Sequence, residues 1–472
     1  MDAQVVTEPV PEAVPEDYAG RRVTVAGFGL SGRAAARVLA RQGADVTIVD
    51  ARDTAAPEDV AELTGLGVTV RLGDGATLPP GTGLVVTSPG WRPDAPLLVA
   101  AAQAGVEVYG EVELAWRLRG PGAAPWLALT GTNGKTTAVR MLTAILTAAG
   151  HDALAVGNVG TPIVEAVLEK HDVLAVELSS YQLHWSSTVA PFAAAVLNLA
   201  PDHLDWHGSM REYAAAKGKI FGPGTIAVVN AADPVAVSLA GPDAAAFTLA
   251  VPAPGQVGVV ETVLCDRAFV PDPAATAEEL GELSDVRPYA PHNVANALAA
   301  AALARAFGVP PHAVRDGLRA FVPDPHRIAH VATVGGVEYV DDSKATNPHA
   351  AASSLAACES AVWIAGGLLK GADVDDLVAA VAGRLRAAVL IGTDRAQIAA
   401  ALARHAPDVP VVDVSDTDTG AMDTVVRRAA ELARPGDTVL LAPAGASFDM
   451  FASYGARGDA FAAAVRRLAE TR

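Results

Sequence analysis

The run ALTGTNGKTT, residues 128–137, puts an amine and two hydroxyls directly behind two glycines. Gly131 and Gly134 permit a tight turn between the apolar stretch Trp126–Thr130 and a helix-forming run from Thr136 to Ala149. Backbone N–H groups and a helix dipole then converge on one point, which is what binding a phosphate requires. In such a loop Lys135 reaches the β- and γ-phosphates of a nucleoside triphosphate and the Thr136 hydroxyl meets Mg²⁺. The G-x-x-x-x-G-K-[ST] spacing asks for glycine at position 129 and finds Leu129, the glycine having moved to 131. A plain glycine turn before a surface helix is the alternative. Glu177 closes the apolar run VLAVE, and a carboxylate at the end of a parallel strand can face Mg²⁺ beside the loop. After the next apolar run come Asn198, Asp202, His203, Asp205 and His207. That concentration of polar groups marks a site, although Asp202 or His207 can equally cap or solvate the loop.

A second glycine pattern, Gly27, Gly29 and Gly32, separates RRVTVA from a helical run, and Asp50 ends the strand that follows. Strand, G-x-G-x-x-G, helix, strand and acidic residue is the order of a dinucleotide-binding unit, in which the turn approaches a diphosphate. An NAD-dependent dehydrogenase and a purely structural turn both fit this segment alone. LVVTSPGW, residues 84–91, continues the alternation and turns at Ser88. Near the C-terminus three polar clusters, 341–347, 366–373 and 444–449, each follow an apolar strand, which puts them on one face at strand C-termini.

The elements behind these residues alternate β and α throughout, giving an α/β protein of three domains. The expected division is a disordered acidic, proline-rich tail (1–19), a Rossmann-like domain (20–110), a central P-loop ATPase-like domain with a mostly parallel sheet (111–323), and a C-terminal Rossmann-like domain (324–472). PDPHR, residues 323–327, reads as the hinge into the last. Residues 253–285 lack periodicity and carry Pro and Gly, as short hairpins or loops do, and 292–308 reads as an amphipathic helix with Asn293 and Asn296 as caps near its start.

Composition narrows the function. At 472 residues with 51% hydrophobic and 19% charged residues, the chain has material for several cores. A formal charge of −18 opposes non-specific nucleic-acid binding. Cys265 and Cys358 have no metal-ligand spacing, so disulfides and a Cys₄ zinc site are not expected. The apolar runs are too short or too interrupted to cross a bilayer, and the N-terminus is acidic where a secretory signal would be basic, so a cytoplasmic protein is expected.

Taken in order, GTNGKTT, VELSSYQL, APDHLDWHG, AAAKGKI, HNVANALAA, PHR, DDSKATN, GGLLKGAD and APAGASFDMF resemble the Mur ligases of peptidoglycan synthesis over nearly the whole chain beyond the tail. DDSKATN and ASFDMF resemble the D-glutamate-adding branch, and the DNPR-like motif of the diaminopimelate- or lysine-adding relatives is absent. Another ligase of the superfamily, with a different amino acid or acceptor, is the alternative. An ATP-binding switch without turnover is a further one. The resemblance implies ATP-dependent amide formation between UDP-N-acetylmuramoyl-L-alanine and D-glutamate through an acyl phosphate, by a monomer using Mg²⁺.

It also implies roles for particular residues. Gly29, Leu30 and Ser31 would hold the UDP portion, with Asp50 and Arg52 toward its base and Ser88 and Asn158 along the lactoyl-alanyl arm. Gly131, Thr132, Asn133, Gly134, Lys135, Thr136 and Thr137 would cradle the ATP phosphates. Asn293 would reach adenine, while Arg327, Asp342 and Lys344 complete the site. Thr136, Glu177, His203 and Lys217 would hold metal, Lys217 as a carbamate formed with CO₂, and Lys219 is the other candidate for that lysine. Thr346, Lys370, Ser447, Phe448 and Tyr454 would bind D-glutamate. Lys135, Asn158, His203, Lys217 and Lys344 form the implied catalytic set. Trp206 and Leu369 depart from the family pattern, which has arginine and an acidic residue there.

Overall fold

The computed structural model describes residues 15–415 and 420–471. They form two compact units: residues up to Val286 with Ala295–Phe321, and Arg287–Val294 with the chain from Val322 onward. The first unit holds two sheets and the second holds one.

The first sheet comprises β1 (Arg22–Ala26), β2 (Asp45–Asp50), β3 (Thr69–Leu72), β4 (Leu84–Thr87) and β5 (Glu107–Gly110), all parallel in the order β3-β2-β1-β4-β5. The glycine turn follows β1, where the chain leaves one side of the sheet for the other, the usual location of a ligand crevice.

The second sheet comprises β6 (Trp126–Thr130), β7 (Ala153–Gly157), β8 (Val173–Glu177), β9 (Ala193–Val196), β10 (Ile226–Asn230), β11 (Ala245–Phe247), β12 (Gln256–Val260), β13 (Val263–Asp266) and β14 (Glu278–Glu282). Its order is β14-β13-β12-β11-β10-β9-β6-β8-β7, with β7 to β12 parallel and β12-β13-β14 an antiparallel meander, so the hairpins expected in 253–285 are present. β6, β8 and β9 are buried along their whole length, which is why they read as unbroken apolar runs. β6 lies between β8 and β9, so the phosphate loop too leaves the sheet at a reversal of strand order.

The sheet of the second unit comprises β15 (Ala329–Val334), β16 (Val337–Asp341), β17 (Ala361–Gly366), β18 (Leu385–Ile391), β19 (Val411–Asp413) and β20 (Thr438–Ala444), in the order β15-β16-β20-β17-β18-β19. Only β15 is antiparallel to its neighbour. The ends of β16, β17 and β20 carry the three polar clusters, on neighbouring parallel strands.

Two expectations are corrected. The tail does not reach residue 19: Tyr18 is 1% exposed, its hydroxyl 2.9 Å from that of Tyr109, and the Glu16 N–H donates to Arg117 O at 3.0 Å. Burying one aromatic ring outweighs an acidic, proline-rich composition; residues 1–14 lie outside the described residues. The helix Pro291–Ala306 is not amphipathic, because every side chain from Ala297 to Ala304 is fully buried. Its alanines let neighbouring elements close on all sides. Among the described residues, no helix is long and apolar enough to cross a membrane.

Candidate active site

The displaced glycine has a steric reason. Leu129 belongs to β6 and is fully buried, so the turn starts only at Gly131, where a Cβ would lie 2.9 Å from Leu197 Cβ. Gly134, at φ +85°, caps the helix Lys135–Ala148, and a side chain there would strike Asn296 Oδ1 at 2.2 Å. Asn198 locks the loop from the next strand end: its O accepts from Thr132 N–H at 2.9 Å, its Oδ1 from Asn133 N–H at 2.9 Å, and its Nδ2 donates to Asn133 O at 3.0 Å. The Thr132 hydroxyl joins Tyr213 OH at 2.9 Å and Ala200 O at 3.1 Å. Thr137 is buried and Thr136 half-buried in the first turn of the helix.

Two lysine amines meet on one carbonyl. Lys135 Nζ donates to Gly131 O at 2.9 Å and Thr132 O at 3.0 Å, while Lys217 Nζ donates to the same Gly131 O at 2.8 Å and to Thr130 Oγ1 at 3.2 Å. Lys217 is 1% exposed, and burial, then the neighbouring Lys135 charge, hold its pKa well below the ordinary lysine range. Lys219 instead donates to His184 O and Ser186 O, so of the two candidates Lys217 is the one at the loop. Glu177, also 1% exposed, ends β8 on the adjoining strand. Its Oε1 accepts from Asn158 Nδ2 at 2.8 Å, and its Oε2 is buried without a hydrogen bond. An unsatisfied buried carboxylate oxygen beside a phosphate loop suits a hard cation. Among the described residues no group of three His, Cys, Asp or Glu is assembled for a metal, so any ion here would also need hydroxyl, water or phosphate oxygens.

His203, in the left-handed conformation at φ +54°, starts the short helix Leu204–His207 and lies 4.9 Å from the Tyr181 ring. Burial, with Lys135 and Lys217, lowers its pKa against the opposing pull of Asp202, 3.6 Å away. Trp206 packs on Tyr181, His184 and His207 at centroid separations of 4.6–4.9 Å, so here an aromatic cluster stands where the family pattern has arginine.

In the first sheet, Gly32 is required because a Cβ there would sit 1.8 Å from Gly27 O. Asp50 Oδ2 accepts from Phe28 N–H at 2.6 Å and from Arg52 Nη2 at 2.9 Å, so it braces the turn and orients Arg52 together. These bonds hold the Asp50 carboxyl below its usual pKa against the opposing effect of burial. Ser88 Oγ donates to Gly27 O at 3.4 Å, and Leu30 is 63% exposed at the start of the helix Leu30–Arg41. Gly29, Leu30, Ser31, Asp50, Arg52 and Ser88 thus share one strand-end face. Asn158 is held instead by Glu177.

Within the second unit, Asp342 is buried, accepts from Ile328 N–H at 3.3 Å and from the Ser354 hydroxyl, and is pushed up to about 6 by burial. Lys344 Nζ lies 4.1 Å from the centre of the Tyr454 ring, and Lys344 O accepts from Thr346 N–H at 2.8 Å. Arg327 pairs with Asp324 at 3.7 Å, and Asn293 Nδ2 donates to Pro288 O at 3.0 Å. Reciprocal bonds between Leu368 and Ala446 at 2.9 and 2.8 Å bring together the turns carrying Lys370 and Ser447. Lys370 is exposed at φ +52°, Ser447 is buried and Phe448 is 69% exposed. Leu369, 4% exposed, fills the core under its turn, which accounts for an apolar residue there.

Arg457 carried no signal in the sequence. It is 1% exposed and spends Nε and Nη2 on Ser343 Oγ and O (3.0 and 2.9 Å) and Nη1 on Gly445 O (3.1 Å), tying the turn of Lys344 to that of Ser447. Asn198 stood out in the sequence only as part of a polar loop.

A glycine turn that can cradle phosphates, a carboxylate poised beside it, and a separate diphosphate-type turn define a nucleotide-using enzyme of several α/β domains. Family models match in the same order: the Mur ligase MurD-like N-terminal domain over residues 21–110, the Mur ligase middle domain over 129–304, and the Mur ligase glutamate ligase domain over 326–445. The chain belongs to the Mur ligases. A UDP-N-acetylmuramoylalanine--D-glutamate ligase of Thermobifida fusca (strain YX) is 64% identical over 461 residues, covering 95% of this chain and 99% of that one. The protein of the same name from Streptomyces avermitilis is 64% identical over 463 residues, covering 96% and 99%. Among solved structures, UDP-N-acetylmuramate-alanine ligase MurC of Thermotoga maritima has a TM-score of 0.57 at 18% identity, covering 96% of this chain and all of that one. MurF of Acinetobacter baumannii has a TM-score of 0.54 at 17% identity, covering 91% and 89%. These two share the fold.

Proposed function

We infer that this protein is an ATP-dependent ligase that joins D-glutamate to UDP-N-acetylmuramoyl-L-alanine in peptidoglycan precursor synthesis. The observation that carries this is 64% identity along nearly the full length of ligases bearing that name, together with a fully formed phosphate loop. ATP phosphorylates the alanyl carboxylate, and the amine of D-glutamate displaces phosphate from the acyl phosphate to give the amide.

The residue roles proposed here are those the family resemblance implies, and the geometry above supports the ones at the phosphate loop. Gly131–Thr137 orient the triphosphate through backbone N–H groups and the helix N-terminus, and Lys135 neutralises charge at the transferred phosphoryl group. Thr136, Glu177 with its unsatisfied oxygen, and His203 would hold Mg²⁺, which would screen phosphate charge and polarise the phosphoryl oxygens. Asn158 holds the Glu177 carboxylate in place. Lys217, buried and inclined to be neutral, is chemically prepared to add CO₂ as a carbamate, which would exchange a misplaced cation for an anion. Gly29, Leu30, Ser31, Asp50, Arg52 and Ser88 bind the UDP portion. Asn293, Arg327, Asp342 and Lys344 are the proposed further ATP residues, and Thr346, Lys370, Ser447, Phe448 and Tyr454 the proposed D-glutamate residues. ATP and UDP-linked substrates are intracellular metabolites, which supports a cytoplasmic enzyme, and every proposed role is supplied by one chain, as a monomer requires.

Release of ADP by purified protein, with each amino acid offered in turn, tests the reading. Release that needs both UDP-N-acetylmuramoyl-L-alanine and D-glutamate is expected. Release supported equally by L-glutamate, or by a folate in place of the UDP-sugar, contradicts it.

A further inference from the structure

Beyond the end of β4 the chain turns through Ser88, Pro89, Gly90 and Trp91, and the Trp91 N–H closes the turn on Ser88 O at 3.2 Å. One side of this turn rests on the first glycine turn, where a Cβ on Gly27 would meet Ser88 Oγ at 2.5 Å and Trp91 Nε1 at 2.9 Å. Its other side meets the domain of the second sheet. Trp206 Nε1 donates to Gly90 O at 3.4 Å, and Arg92 Nη1 donates to Asp205 O at 2.9 Å. Both acceptors are main-chain carbonyls, so these bonds tie down backbone segments that lie 116 and 113 residues from their donors. Both donors are steadied in turn. Arg92 Nε donates to Asp94 at 3.1 Å, and the Trp206 indole meets Tyr181 and His184 edge to face, each at 4.9 Å.

Behind Asp205 and Trp206 lies His203. Its carbonyl accepts from Trp206 N–H at 3.1 Å and from His207 N–H at 3.0 Å, and the buried His207 ring is anchored 3.0 Å from Ser180 Oγ. The helix Leu204–His207 therefore moves with His203 as one piece. An unbroken series of contacts runs from Gly27, through Ser88 and Gly90, to His203. The proposed reaction needs such a link, because the UDP-sugar is gripped by its diphosphate and reacts at its far carboxylate, which must come within about 3–3.5 Å of the γ-phosphate. We propose that Trp206 and Arg92 are positioning residues, a two-bond clasp that fixes the turn of Ser88 against the helix behind His203 and so holds the alanyl carboxylate in register with the phosphate loop. Glu113, bonded to Ser187 and Thr188 N–H at 2.8 and 3.0 Å, joins the same two domains elsewhere, so loss of the clasp loosens the reacting end without separating them. The inference rests on the ligase reading and on Gly29–Ser31 being the diphosphate turn.

A double-mutant cycle in the full-length protein tests it. Trp206→Phe keeps an aromatic ring and drops the N–H, and Arg92→Met keeps an apolar stem and drops the guanidinium. Either bond alone still joins the segments, so each single variant should lower kcat by about twofold and the pair by about 20-fold, well beyond the product of the two. In the Trp206→Phe background, Arg92→Lys retains a donor for Asp205 O and should restore most of the kcat that Arg92→Met loses. Titration calorimetry should give the double variant the wild-type affinity for UDP, because the diphosphate turn is untouched. Wild-type kcat in the double variant, or a loss equal to the product of the singles, overturns the clasp. An equal loss of UDP affinity overturns it too, by placing both residues in the diphosphate site, as does a fall in Tm large enough to account for the lost activity. A wild type that binds no UDP, or makes no amide from D-glutamate and the UDP-sugar, overturns instead the reading on which the clasp rests.

Discussion

Replacing Lys217 by methionine separates a structural role from a chemical one. Lys217 Nζ makes two hydrogen bonds, to Thr130 Oγ1 and Gly131 O. Neither partner is stranded by their loss, because Gly131 O keeps Lys135 Nζ at 2.9 Å and the Thr130 hydroxyl keeps Leu178 O at 2.7 Å. At about 1 kcal/mol for each bond, the loss is at most about 2 kcal/mol, and replacing a buried amine with an apolar chain of similar length offsets part of it. A fall in Tm of a few degrees is therefore expected by calorimetry. Because the amine's folded pKa is depressed, the unfolded chain binds the extra proton between that value and the ordinary lysine range. The amine's contribution to stability thus grows as pH rises through that window, and Lys217→Met should flatten the slope.

Activity should fall far more, by about 10- to 100-fold, the scale seen when support for a metal is removed. Only an unprotonated amine adds to CO₂, forming the N–C bond and releasing a proton, and the environment of Lys217 favours that form. In ¹³C-bicarbonate the wild type should show a carbamate carbon signal that Lys217→Met lacks, and Lys217→Ala should regain activity with added short carboxylates. ADP release within a few-fold of wild type by Lys217→Met would refute the chemical role. A fall in Tm of tens of degrees would show that the residue acts through the fold.

Gly32→Ala puts a methyl 1.8 Å from Gly27 O, a backbone atom that cannot step aside, so UDP affinity should drop at least tenfold, with a stability loss of about 1–3 kcal/mol read by urea titration. Asp342 has a folded pKa raised to about 6, so its contribution to stability is fully present below the unfolded value near 4 and is lost as pH rises through 6. Asp342→Asn should remove that decline, seen as a flatter Tm profile between pH 4 and 6. Arg457→Met leaves the carbonyls of Ser343 and Gly445 without their buried donor and should cost about 3–5 kcal/mol. The more conservative Arg457→Lys should stay folded while raising KM for D-glutamate more than it changes kcat.

The sequence carried most of the architecture, because fully buried parallel strands leave unbroken apolar runs and loops at their ends leave Gly, Asp and Lys in register. VLAVE and ALTGTNGKTT are legible for that reason. Where the physics is contextual, sequence reading fell short. Tyr18 is held by Tyr109, an aromatic 91 residues away. The helix Pro291–Ala306 looks one-sided until its neighbours are known to enclose it. Arg457 reads as an ordinary charged residue of a terminal helix, and only folding shows its guanidinium closing two turns. Leu129 misses the phosphate-loop spacing because its position is strand here, a fact of register and not of chemistry. Lys217 and Lys219 are indistinguishable in AAAKGKI, and the helix Met210–Gly218 decides which one reaches Gly131 O.

The central claim is that the loop 131–137 serves activation of a carboxylate by phosphoryl transfer. Tracking oxygen tests it most directly. UDP-N-acetylmuramoyl-L-alanine carrying ¹⁸O in its alanyl carboxylate, turned over with ATP and D-glutamate, should deliver one ¹⁸O atom to each inorganic phosphate released, read by mass spectrometry or by the ³¹P isotope shift. Amide product accompanied by unlabelled phosphate would contradict the account.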